Sequence, residues 1–111
     1  MLSFWGSWSG MPTAVHDREI ALRLKDQPFA LVGVNSDTDK AKAKAAAEEA
    51  IISWRSFWCG EKGKDGAIPI TWNIRNWPTV YILDHKGVIR AKQATGPEID
   101  RIIDRLISEM D

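Results

Sequence analysis

The feature that most restricts how this chain can fold is a short apolar run, Leu2-Ser3-Phe4-Trp5, that stops at Gly6 and within a few residues gives way to a helix opening near Pro12. An apolar run bounded by glycine suits a central strand covered on both faces. Proline fits a first helical turn, where its missing N–H has no intrahelical acceptor. A strand followed by a helix predicts a parallel partner strand reached by a right-handed crossover. Much later comes Trp77-Pro78-Thr79-Val80-Tyr81-Ile82-Leu83-Asp84-His85-Lys86-Gly87, a strand that starts at a proline and turns at Lys86-Gly87.

Between and after these two stretches the elements follow in order. The first helix is expected over 12–25 and ends before Gln27-Pro28, because a residue preceding proline is pushed out of the helical region. Phe29 to Val34 is a compact apolar run, read as the second strand. Asn35-Ser36-Asp37-Thr38-Asp39 is rich in helix-capping residues, and the alanine-rich run 40–52 has strong helix propensity. Trp54 to Trp58 is aromatic and reads as a short edge strand or none. The glycine- and lysine-rich 60–66 is an exposed loop, and 68–74 has room for one helical turn. A hairpin joins 79–83 to 88–92 across Asp84-His85-Lys86-Gly87. Gly96-Pro97 opens a last helix with Ile99, Ile102, Ile103, Leu106 and Met110 at helical spacing. The order β-α-β-α-β-β-α predicts an α/β mixed sheet of four strands, with helices on both faces.

Composition narrows the partners. At 111 residues the chain is read as one domain spanning 1–111, able to bury roughly two-thirds of its unfolded surface. Fifteen basic and fifteen acidic residues cancel, so no long-range field favours nucleic acid or an anionic membrane. No run is long enough and apolar enough to insert in a membrane, and Met1 to Trp5 lacks the charged start of a signal peptide. The lone cysteine, Cys59, forms no intrachain disulfide, which leaves the compartment unmarked.

Taken together, the stretches resemble the thioredoxin superfamily, and within it the TlpA-like and AhpC/TSA-type (redoxin) thiol-disulfide oxidoreductases of bacteria. The likeness runs from Phe4 to about Met110. It rests on Phe4-Trp5 and Trp8 before the first helix, Val32-Gly33-Val34-Asn35-Ser36-Asp37, Trp77-Pro78-Thr79, and Leu83-Asp84-His85-Lys86-Gly87-Val88-Ile89. The resemblance implies a minimal thioredoxin-like fold, a cis proline at Pro78, and a groove for an extended peptide or protein built from Trp8, Ser9, Gly10, Met11, Trp77, Pro78 and Thr79. It also implies relatives that are often exported or periplasmic. The same resemblance exposes what is missing. Ser9 stands at the nucleophilic cysteine, Pro12 by ungapped reading at the resolving one, and Ser3 where thioredoxins often keep a buried acid. A first-helix span about two residues short leaves the register of Pro12 open.

Thiol-disulfide exchange needs a thiolate to attack and a second thiol to resolve the mixed disulfide. A serine does neither. As a hydroxyl nucleophile Ser9 would need a base within about 3 Å, but His16 lies roughly 10 Å along the helix and His85 about 20 Å along a strand. The ordinary role for Ser9 is a helix N-cap. Cys59 is the remaining thiol, with Lys62 and Lys64 near enough in sequence to favour its thiolate. Two distant histidines and one cysteine make no metal set, and no phosphate loop or cofactor motif is present. Trp8 and Trp77 read equally well as groove anchors or as core, and Trp5 as core.

The sequence therefore predicts a thioredoxin-like domain without its dithiol pair, redox-inactive, acting as a binding or structural module with no cofactor. Its alternative is an oxidoreductase that works through Cys59 or through a partner's cysteine, and a dimer joined through Cys59 stays open. An engineered serine at position 9 is a third reading, weakened because the second cysteine is missing too.

Overall fold

The structure is a computed structural model that describes residues 1–7, 12–49, 54–75, 77–93 and 96–110, with the backbone alone for residues 12–15. Its elements are β1 (Leu2–Trp5), α1 (Pro12–Arg23), β2 (Val32–Asn35), α2 (Lys40–Glu49), β3 (Arg55–Trp58), α3 (Ala67–Thr71), β4 (Thr79–Leu83), β5 (Ile89–Lys92) and α4 (Pro97–Ser108). A short 3-10 turn, Gly63–Asp65, precedes α3.

One five-stranded sheet runs in the order β3-β2-β1-β4-β5. β1 pairs parallel with β2 through Leu2↔Val32 and Phe4↔Val34, and β2 pairs parallel with β3. β4 lies antiparallel to β1, with Phe4 opposite Thr79, and closes a hairpin with β5. The expected count of four strands is corrected to five. β3 does form, at the edge, where one bonded flank and one covered face are enough to hold a strand whose first three residues stay exposed. β2 starts later than expected, at Val32, where β1 first offers it a partner.

Alternation along β4 divides the apolar residues between two clusters. Ile20 and Leu24 of α1 and Ile99, Ile103 and Leu106 of α4 pack with Val80 and Ile82 on one face. On the other, Phe4, Val34, Tyr81 and Ile74 gather Ile68 of α3 together with Trp72 and Trp77. Helices thus cover both faces, as the pattern predicted. α4 starts at the expected Gly96-Pro97 step, and α1 stops at Arg23, two residues short of expectation. The continuation of α2 beyond Glu49 falls outside the described residues.

Gly33 and Gly87 are among the glycines that the geometry favours. Gly33 of β2 sits between Trp5 and Ser56, where an added Cβ would come 2.6 Å from Ser56 Oγ. Gly87 closes the β4–β5 turn at φ 82°, in the left-handed region that glycine enters without steric cost. Asp84 completes that turn by accepting from the N–H groups of Lys86 and Val88 at 2.9 and 3.0 Å.

Candidate functional site

In an open sheet the parallel strands deliver their following loops to one end, and ligands bind there. Here that end carries Gly6-Ser7 after β1, Ser36-Asp37 after β2 and Cys59 after β3. The Trp77–Pro78 step into β4 joins them, because the β1–β4 register runs from Phe4↔Thr79 toward Trp5 and Pro78. The Trp77–Pro78 peptide bond is cis.

The lead-in to α1 is anchored by a buried carboxylate. Asp37 accepts from the Ser7 N–H at 3.0 Å, from Ser7 Oγ at 2.5 Å and from Asn35 Nδ2 at 2.8 Å. Its own N–H donates to Asn35 Oδ1 at 2.8 Å, and the indole N–H of Trp58 donates to its carbonyl. The loops after β1 and β2 and the end of β3 are therefore tied through one residue. Both Asn35 and Asp37 are buried, where such a network holds its geometry because every broken bond would leave a desolvated partner. The sequence reading placed Asp37 among helix caps. The residue that caps α2 is Asp39, whose Oδ1 accepts from the Ala41 N–H at 2.8 Å.

Beneath α1 the structure holds an acid that sequence reasoning missed. Asp17, only 2 % exposed, accepts from Ser3 Oγ at 2.6 Å. Its other carboxylate oxygen is buried with no hydrogen-bond partner among the described residues. The signal was present, since Asp17, Ile20, Ala21 and Leu24 fall at helical spacing on one face, and that face is buried. Burial pushes the Asp17 carboxyl above its ordinary range, with Ser3 and the charge of His16 pulling the other way. A raised folded-state value means the folded chain binds more protons than the unfolded one between the unfolded value, about 3.9, and the raised one. Stability should fall as pH rises through that window, by at most about 1.4 kcal/mol per pH unit. Urea unfolding across the acid range checks this. Asp17→Asn should flatten the slope in that window, and an unchanged slope would remove Asp17 as its source.

His16 does not face the amino end of α1. Its Nε2 lies 3.1 Å from Asp100 Oδ2 on α4, where Arg23 also bridges to Asp100 and Asp104. His85 is exposed in the β4–β5 turn. Neither histidine is presented as a base.

Cys59 is half-buried after β3, with its N–H bonded to Asn35 O at 3.0 Å and its Sγ donating to Gly63 O at 3.6 Å. It packs against the cluster of Phe4, Val34, Ile74 and Tyr81. The expectation that Lys62 and Lys64 favour the thiolate is corrected, because burial dominates and pushes the thiol up. β2 separates it from the end of β1, a gap of roughly 10 Å at ordinary strand spacing.

Of the sequence-named groove residues, Trp8, Ser9, Gly10 and Met11 lie outside the described residues, and Pro12 is described as the first residue of α1 by its backbone only. Trp77 is half-buried and meets Phe4 edge-on at 6.0 Å. Thr79 is buried, with Oγ1 lacking a partner among the described residues. Trp5 is half-buried rather than core. Its indole N–H donates to Ser56 Oγ at 3.0 Å, because Gly33 beside it leaves room for the ring to lie over β3.

A strand running into a helix, a proline-started antiparallel strand beside it and a closing carboxy-terminal helix define the thioredoxin-like fold. Solved structures agree. The carboxy-terminal domain of a Bacteroides thetaiotaomicron protein described as a thiol-disulfide oxidoreductase superposes with a TM-score of 0.88 at 24% identity, covering 97% of this chain and 76% of that one. A thiol-disulfide oxidoreductase from Bacteroides fragilis gives 0.88 at 22%, over 95% and 78%. The thioredoxin domain of a Bacteroides vulgatus thiol-disulfide oxidoreductase gives 0.84 at 20%, over 96% and 76%. No family model matches the chain. At these identities the likeness establishes the fold, while the single cysteine of the sequence excludes an intrachain dithiol pair.

Proposed function

We propose that this chain is a thioredoxin-like domain of TlpA or AhpC/TSA descent that has given up dithiol chemistry and serves as a binding module for an extended peptide or protein segment beside Pro78. One observation carries the reading. The chain's single sulfhydryl, Cys59, lies after the edge strand with its thiol pushed up by burial, and serine stands at position 9, where the resemblance places the attacking cysteine. A protonated thiol is a poor nucleophile, and no second thiol in the chain could resolve a mixed disulfide. What supports the binding half is that Asp37 holds Ser7 ahead of α1 and that the cis Trp77–Pro78 bond opens β4 beside β1.

Insulin reduction with dithiothreitol tests the redox half. The protein and its Cys59→Ala variant should both stay at the background rate, and the double substitution Ser9→Cys with Pro12→Cys should raise turnover at least tenfold above it. Activity in the unmodified protein that disappears in Cys59→Ala would overturn the reading in favour of an oxidoreductase using that thiol. The binding half is tested by NMR titration with a cysteine-free extended peptide. Amide shifts should gather at Ser7, Trp77 and Thr79, and shifts elsewhere alone would count against this groove.

A further inference from the structure

The two edges of the sheet are finished differently. At β5 the pairing register shifts between Ile82 and Leu83, and Arg90 is clamped between Asp84 and Glu109 at 3.2 and 2.9 Å. Such irregularity and charge are how natural sheets discourage further strand pairing. β3 carries no register shift and no ion-paired charge among the described residues. It is paired in regular register with β2 alone, and the bond from the Cys59 N–H to Asn35 O fixes which of its backbone groups face inward. Alternation then points the N–H and C=O of Ser56 and Trp58 away from the sheet, with no partner among the described residues.

Beside this open edge runs a groove of about 580 Å³ between β3 and α2. Ser56 and Trp58 form its strand side, while Phe57, 44 % exposed, turns its side chain to the opposite face of the sheet. Ala43 and Ala47 form its helix side, where alanines leave unfilled the space that larger residues would take, and Lys40 and Lys44 stand along it. No carboxylate lines it among the described residues. Neither lysine makes an ion pair among the described residues.

We infer that β3 receives an added strand from a partner protein, an extended segment alternating acidic and apolar residues. Backbone groups of Ser56 and Trp58 supply the ladder, Lys40 and Lys44 meet the acidic side chains on the α2 face, and exposed Phe57 takes the apolar ones on the opposite face. Strand addition of this kind takes affinity from main-chain bonds and specificity from alternate side chains. A second copy of the chain fits poorly, because pairing two β3 edges would bring like charges from both copies together. The surface is separate from the Pro78 groove, since β2 and β1 lie between β3 and β4.

The probe is an acetylated, amidated seven-residue peptide alternating glutamate and valine, titrated into the 15N-labelled protein at low salt. Amide shifts should concentrate at Ser56, Phe57 and Trp58. A peptide with lysine in place of glutamate should bind at least tenfold more weakly. The double variant Lys40→Glu, Lys44→Glu should lose at least tenfold for the acidic peptide, and Ser56→Pro, which removes an outward N–H at an edge that tolerates proline, should lose a similar factor. No shift at β3 with millimolar acidic peptide would overturn the proposal. So would equal binding by the lysine peptide or by the charge-reversed variant. Concentration-dependent β3 shifts without peptide would assign the edge to self-association instead.

Discussion

Phe4→Ala is expected to cost roughly 3–5 kcal/mol of folding stability, the range for removing a fully buried aromatic ring. Phe4 is 0 % exposed and among the described residues meets the rings of Tyr81 at 5.5 Å, Trp77 at 6.0 Å and Trp72 at 6.3 Å between ring centroids. Truncation leaves a cavity that those rings cannot readily fill, since Tyr81 is tied by its hydroxyl to Trp72 O at 2.8 Å and by its backbone to β1 and β5. Against the 5–15 kcal/mol typical of a whole domain, that loss brings the fold close to its limit. Urea unfolding followed by tryptophan fluorescence should show a much lower midpoint. Phe4→Leu should lose about half as much, because it retains part of the buried volume. A loss below about 1 kcal/mol in the alanine variant would mean that the cluster repacks around the gap.

The same residue shows how the fold was legible. Phe4 could be placed because a run of apolar residues closed by glycine has few uses besides a covered strand. The 79–83 strand was read to the residue, since a proline starts it and Asp84 to Gly87 end it. The periodicity of Ile99, Ile103 and Leu106 placed α4 from its Gly96-Pro97 start, although the helix ends at Ser108, before the expected Met110. β3 left a fainter trace, because an edge strand with exposed Arg55, Ser56 and Phe57 has no apolar pattern to betray it, and pairing with β2 rather than its own sequence creates it. The site was less legible than the fold. Ser3 was recognised as standing where an acid is expected, but the carboxylate that reaches it comes from Asp17, fourteen residues further along and on a helix. Local pattern places a residue on a face. It does not say which residue of another element that face will meet.

Asp37 is the clearest case of such a meeting, and its replacement is expected to have the second-largest effect. Asp37→Ala removes the acceptor for the Ser7 N–H, for Ser7 Oγ and for Asn35 Nδ2. Asn35 is fully enclosed, so its amide would stay desolvated without a partner, at a cost of roughly 1–3 kcal/mol for the orphaned group. Loss of two charge-assisted bonds to Ser7 should bring the total to about 3 kcal/mol, or on the order of 10–15 °C in Tm for a domain of this size. The damage should also be local. Ser7 sits thirty residues from Asp37 in the chain and immediately before the segment that leads into α1, so its amide should exchange hydrogen much faster in the variant than amides of β4 do. Asp37→Asn separates the two effects, because an amide oxygen can still accept from Ser7 while its NH2 group faces the Asn35 donor. It should recover part of the stability and most of the Ser7 protection. If Asp37→Ala unfolds at the same urea concentration as the unmodified protein, the network positions the loop without stabilising it, and the protection of Ser7 then decides whether it does even that.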